Sequence, residues 1–144
     1  MTWMRDKNLN LNKREAMNYT LEQFKKLTFQ QVIDICHQRS VAGGWWNDTE
    51  TGEPMVRNKG EMLCLIHSEV SEMMEGERKG INDDHLPHRA MAEVEGADVA
   101  IRLGDYMVGH GYDVVSAIYE KLEYNKTRAD HNLSNRAKGD GKKW

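Results

Sequence analysis

The 144-residue sequence predicts an all-α chain with four helices. Apolar residues recur at spacings of three and four in four separate windows. Capping residues and glycine stops bracket those windows. A third observation bears on function. Two acidic pairs of spacing i, i+3, Glu69 with Glu72 and Glu95 with Asp98, lie on the predicted inner faces of two successive helices.

The chain's length is that of one domain. Apolar content of 39% and charged content of 30% are those of an ordinary globular protein. A net charge of −3 and a pI of about 6.1 leave no broad basic surface, which argues against a nucleic-acid partner. The basic residues Arg136, Lys138, Lys142 and Lys143 read as a solvated tail. Cys36 and Cys64 belong to no CxxC pair or zinc cluster and sit in helical apolar patterns, so they read as reduced, buried thiols in a cytosolic setting. The opening MTWMRDKNLN has no apolar leader core, and no run approaches the length of a membrane span.

In chain order, residues 1–19 read as a polar arm with at most a short helix near Lys13–Met17. The first helix falls within 20–39. Its start is ambiguous, because Thr20 with Gln23 and Thr28 with Gln31 both fit a capping box. Phe29, Val32, Ile33 and Cys36 form its apolar stripe. Residues 40–57 are a loop, broken by Gly43, Gly44, Gly52 and Pro54, and they carry the adjacent indoles Trp45 and Trp46. These indoles read either as an anchor over the core or as a flat wall for a base.

The second helix runs from an Asn58 cap to Lys79, with Gly80 as its stop. Met62, Leu65, Ile66, Val70 and Met73 form its apolar arc, with Glu69 inside the arc and Glu72 at its edge. After the turn NDDHL, the third helix is expected to begin at Pro87 and run to about Val108. Met91, Val94, Ile101 and Tyr106 share a face with Glu95 and Asp98. The fourth helix is expected from Asp113 to Asp130, with Val114, Ile118 and Leu122 inward and Lys121, Tyr124, Asn125 and Arg128 continuing the stripe. The domain is thus 20–131, followed by a polar tail at 132–144.

The two acidic pairs are symmetric about the turn, since 69 and 98, and likewise 72 and 95, have the same midpoint between Asp83 and Asp84. In a helical hairpin, positions equidistant from the turn lie side by side. Carboxylates on an inner face are costly unless a charged partner or a metal compensates them. Spacing i, i+3 separates two carboxylates by about 4.5 Å along the axis, near the ion separation of two-metal sites. All-oxygen donors select Mg²⁺, or Mn²⁺, over zinc. A di-iron bundle would need Glu-x-x-His, and no histidine here has Glu three residues before it. His85 and His88 read as loop surface.

The chain resembles the MazG-like all-α nucleoside triphosphate pyrophosphohydrolases, whose signature is ExxE, a spacer, then ExxD. It reads Glu69-Val70-Ser71-Glu72 and Glu95-Gly96-Ala97-Asp98. GGWWNDTETGE, NKGEMLCLIHSEVSEMMEGERKG, DDHLPHR, EVEGADVAIRLGDY and EKLEYNKTRADH resemble a phage-type branch regarded as dATP/dGTP pyrophosphohydrolases, over about residues 30–131. Ser68 departs from the pattern where many members carry a further Glu. The resemblance implies a four-helix core assembled as a homodimer or homotetramer, and Mg²⁺-dependent hydrolysis of a (deoxy)nucleoside triphosphate to monophosphate and pyrophosphate. It implies Glu69, Glu72, Glu95 and Asp98 as metal ligands, and the host cytoplasm as location if the chain is phage-encoded. On chemical grounds Glu69 is the expected base. Lys79, Arg89, Lys121 and Arg128 are candidate phosphate holders, Asn125 a candidate hydrogen-bonding group for phosphate or sugar, and Trp45 and Trp46 a candidate base wall. The competing readings are a dUTPase-like relative and a non-enzymatic helical interaction module.

Overall fold

A computed structural model describes residues 18–141, and these fall into two compact units, one ending at His110 and one beginning at Gly111. The expected short helix near Lys13–Met17 lies outside the described residues. The described residues are mostly helical, with isolated bridges at Asn47–Pro54 and Asn82–Ala90 and no named strand. None of their helices is long and apolar enough to cross a membrane.

The first unit holds α1 (Leu21–Phe24), α2 (Phe29–Ala42), α3 (Lys59–Lys79) and α4 (Met91–Gly109). The ambiguous start of the first helix resolves into two helices, because both capping boxes form. Thr20 and Gln23 cap α1, and Thr28 and Gln31 cap α2. Each box satisfies backbone N–H groups that a helix start leaves without partners. The Asn58 side chain accepts from the Glu61 N–H at the start of α3, and Gly80 ends that helix at φ 62°, where a side chain would be strained.

The third predicted helix begins four residues later than expected, at Met91 rather than Pro87. Asp83 is the cause. Its Oδ1 accepts the N–H groups of His85 (2.9 Å) and Leu86 (2.6 Å), and its own N–H donates to the Arg89 carbonyl. Asn82 donates to the Pro87 carbonyl, and Met91 N–H to that of Ile81. The segment closes on itself as a loop, and Pro87 serves a turn within it.

Both α2 and α3 pack against α4, which is therefore the central helix of this unit. Ile33, Ile35, Trp46, Met62 and Tyr106 are buried, and Ile66 and Met107 pack against the Trp46–Met62–Tyr106 cluster. Ile35 lies off the expected α2 stripe, while Phe29, on it, is exposed. The arc of α3 is covered at Met62 and uncovered at Val70 and Met73, and Ile101 of α4 is also exposed.

Asp105 of α4 ties α2 and the 43–58 loop to the core. Its Oδ1 accepts from the Trp46 indole Nε1 and from His37 Nδ1, each at 2.8 Å, and its Oδ2 from Ser40 Oγ at 2.8 Å. Arg57 stands 3.8 Å from Oδ2. Burial pushes the Asp105 carboxyl upward, but the hydrogen bonds from His37, Ser40 and Trp46 outweigh it and hold the group below the usual carboxylate range. Asp48 shapes the loop itself, with Oδ1 accepting from Glu50 N, Thr51 N and Thr51 Oγ1.

The second unit holds α5 (Val114–Lys126), a 3₁₀ turn (Ala129–His131) and α6 (Leu133–Arg136). The Asp113 side chain caps α5. The helix stops at Lys126 rather than running to Asp130, and the expected structureless tail carries α6, capped by Asn132. Val114 is half-buried, but Ile118 and Leu122, expected to face inward, are exposed, and α5 buries no residue.

Replacing Asp105 with Ala leaves three donors without their common acceptor. The expected cost is about 3 kcal/mol of unfolding free energy in a denaturant titration. A loss below about 1 kcal/mol would contradict the anchoring role.

Candidate metal centre and adjoining pocket

Glu69, near the middle of α3, faces Glu95 and Asp98 on α4. One carboxylate oxygen from each of the three lies within 4.8 Å of the others, and Glu69 and Glu95 are buried with Asp98 half-buried. Glu69 and Glu95 share a hydrogen bond between their side chains, which requires a proton on one of them. Burial, that hydrogen bond, and the charges of Glu72, Glu69 and Asp98 together push the Glu95 carboxyl up to about 7. Asp98 is raised by burial and by the Glu69 charge, with Asp83 adding to the rise and Arg102 opposing it.

Three converging carboxylates, two of them buried, form a strong electrostatic trap for a cation. The donors are all oxygen, which suits a hard divalent ion such as Mg²⁺. The three residues could therefore hold a metal ion. Glu72, the fourth expected ligand, is exposed and stands outside the converging set, although Glu95 feels its charge. Three residues turn a helix by about 300°, so Glu72 lies about 60° around α3 from Glu69, away from the α4 contact. Ser68 is exposed and donates to the Leu65 carbonyl one turn back.

Of the acidic cluster, Asp98 lines a cavity of about 400 Å³ whose wall also includes Arg102 and Asp105 of α4, Arg39 of α2, and Trp45 and Arg57 of the loop. Arg102 Nε lies 2.7 Å from Glu69 Oε1. The Arg57 guanidinium stands 6.0 Å from the Trp45 ring centroid. The cavity thus pairs carboxylates with three arginines and an exposed indole.

The remaining expected substrate residues divide. Trp45 lines the cavity and is 66% exposed, whereas Trp46 is buried on Asp105 and is an anchor rather than a wall. Lys79 pairs with Glu75 (2.8 Å) at the end of α3, and Arg89 with Glu93 on the solvent side of α4, and neither lines the cavity. Lys121, Asn125 and Arg128 belong to the second unit. There Lys121 Nζ lies 4.8 Å from the Tyr124 ring, Arg128 pairs with Asp130, and Asn125 Oδ1 is buried with no hydrogen-bond partner among the described residues. His85 and His88 are exposed, as expected of loop surface.

Sequence reasoning missed Arg39, Arg57, Arg102 and Asp105. Arg102 and Asp105 follow Asp98 by four and seven residues, the spacing of one helix face, and could have been read from the same pattern that marked Asp98. Arg39 and Arg57 sit near a helix end and in a loop, where periodicity carries no signal. Comparison with protein-family models, with curated proteins and with solved structures returned no match to this chain.

Because folded Glu95 keeps its proton to about pH 7 whereas an unfolded Glu loses it near pH 4.5, the folded state binds the extra proton between those values. Its contribution to stability is present below about pH 4.5 and lost as pH rises through about 7. In chelator, Glu95→Gln is expected to melt above the wild type at pH 8, with the gap closing toward pH 5. A gap that does not change across this range contradicts the assignment.

Proposed function

We propose that the chain is a Mg²⁺-dependent pyrophosphohydrolase that cleaves (deoxy)nucleoside triphosphates, purine deoxynucleotides foremost, to the monophosphate and pyrophosphate. The observation that carries this reading is the convergence of Glu69, Glu95 and Asp98, with Asp98 on the wall of a cavity that also presents Arg39, Arg57 and Arg102. Anionic and cationic groups side by side suit a polyphosphate, whose charge needs both a divalent ion and guanidinium donors. The purine preference comes from the motif resemblance.

When bound at Glu69, Glu95 and Asp98, Mg²⁺ supplies neutralisation of phosphate charge and acidifies water. The chain's own residues supply the rest. Arg39, Arg57 and Arg102 donate to phosphate oxygens, and the exposed Trp45 face offers a stacking surface for the base. Water attacks the α-phosphorus, and a carboxylate of the cluster takes its proton. The α–β bridging bond breaks and pyrophosphate leaves.

The reading includes a homo-oligomer. Leu63, Val70 and Met74 lie at i, i+7 and i+11 on α3 and are 47%, 44% and 67% exposed. An apolar stripe of this period is the kind that a second helix covers. Light scattering is expected to return at least twice the 16.6 kDa chain mass, and Met74→Asp to lower it. A wild-type mass of one chain contradicts the oligomer.

Incubation with each nucleoside triphosphate and Mg²⁺ tests the activity. Purine deoxynucleotides are expected to give monophosphate and pyrophosphate, and Asp98→Asn to lose activity on the order of 100-fold or more with its helical circular dichroism intact. Turnover of none in Mg²⁺ or Mn²⁺ contradicts the enzyme reading and favours an interaction module. A dominant dUTP preference favours a dUTPase-like enzyme.

A further inference from the structure

We propose that Arg102 is an exchangeable counter-ion that pairs with Glu69 when no divalent ion is bound and is released by the ion to hold a phosphate group in the cavity. This deepens the reading of Glu69, Glu95 and Asp98 as a cation site and rests on it.

Geometry supports the exchange. Arg102 Nε and Glu69 Oε1 are 2.7 Å apart, and the Glu69 side chain is only 8% exposed, so this carboxylate cannot turn to water for compensation. The Arg102 side chain is 42% exposed and lines the cavity, so it can move without opening the core. It also lies one helical turn after Asp98. A divalent ion at the cluster would compete for the Glu69 carboxylate that the guanidinium engages. Two cations cannot share one carboxylate at short range without strong repulsion. The more highly charged ion wins the buried oxygen, and the long arginine arm swings to the nearest anion. In a cavity that also presents Arg39 and Arg57, that anion is a ligand phosphate.

Arg57 provides the contrast. It stands 3.8 Å from Asp105, and its side chain is 13% exposed, so it is held in place whether or not an ion binds.

The exchange predicts effects of opposite sign, which a purely structural Arg102 does not. Mn²⁺ binding is read as loss of the free-ion electron paramagnetic resonance signal, and nucleotide binding by titration of a non-hydrolysable deoxynucleoside triphosphate at saturating Mn²⁺. Arg102→Gln is expected to bind Mn²⁺ about tenfold tighter and the nucleotide about tenfold weaker than the wild type. Arg102→Lys, which keeps the charge but loses the forked donor, is expected to fall between them in both. If Gln at this position unfolds the protein, the Lys variant alone decides by the same two signs. Mn²⁺ affinity equal to or below that of the wild type in the variants overturns the exchange while leaving the cation site standing. A wild type that binds no Mn²⁺ overturns both.

Discussion

Two carboxylates buried against each other at the contact between α3 and α4 set the terms for the first unit. Burial of a charged group is among the largest penalties a fold can carry, and like charges at close range add to it. The protein meets this penalty in two visible ways. A proton retained on Glu95 lets the pair share a hydrogen bond, and Arg102 reaches over to Glu69. The helices are brought close where the site is made. A Cβ at Gly76 would lie 2.8 Å from the Ala92 backbone nitrogen, so only glycine admits α4 this near to α3. A fold built for stability alone would place apolar side chains at these positions.

Asp105, on the same helix as Glu95, shows the opposite solution. It too is buried, yet three donors surround it, and its carboxyl falls below the usual range while that of Glu95 rises. Donors complete one site, whereas acids crowd the other. The difference separates an anchor, whose charge is already satisfied, from a site whose charge calls for a cation from outside. Asp98 and Asp105 both line one cavity, so the anchor also holds part of the wall that Asp98 shares with the arginines.

Much of this was legible in the sequence. The two capping boxes, the Asn58 cap and the Gly80 stop each marked a helix end, whereas periodicity alone left the end of α2 three residues short, at 39 rather than Ala42. The core-face position of Glu69 and Glu95 followed from the helical wheel alone. The start of α4 was not legible from Pro87, because Asp83 folds the loop through side-chain to backbone bonds that a helix-propensity reading does not weigh. Glu72 sat at the edge of the arc on the wheel, and a rotation of about 60° is the difference between a ligand and an exposed carboxylate. Trp45 and Trp46 are adjacent, and only tertiary contact with Asp105 decides which indole is buried. Arg39 and Arg57 reach the cavity from separate elements, and no local pattern marks them. The exposed apolar stripe of α3 shows how a sequence pattern can be right about amphipathicity while a single chain leaves part of the face uncovered.

The central claim is that Glu69, Glu95 and Asp98 are a divalent-cation site. Its most direct measurement is anomalous diffraction from crystals of the protein grown with Mn²⁺. The account predicts an anomalous peak between the three carboxylates, on the wall of the arginine-lined cavity. Well-diffracting crystals with no peak there, or with manganese only at other surface acids, would contradict it.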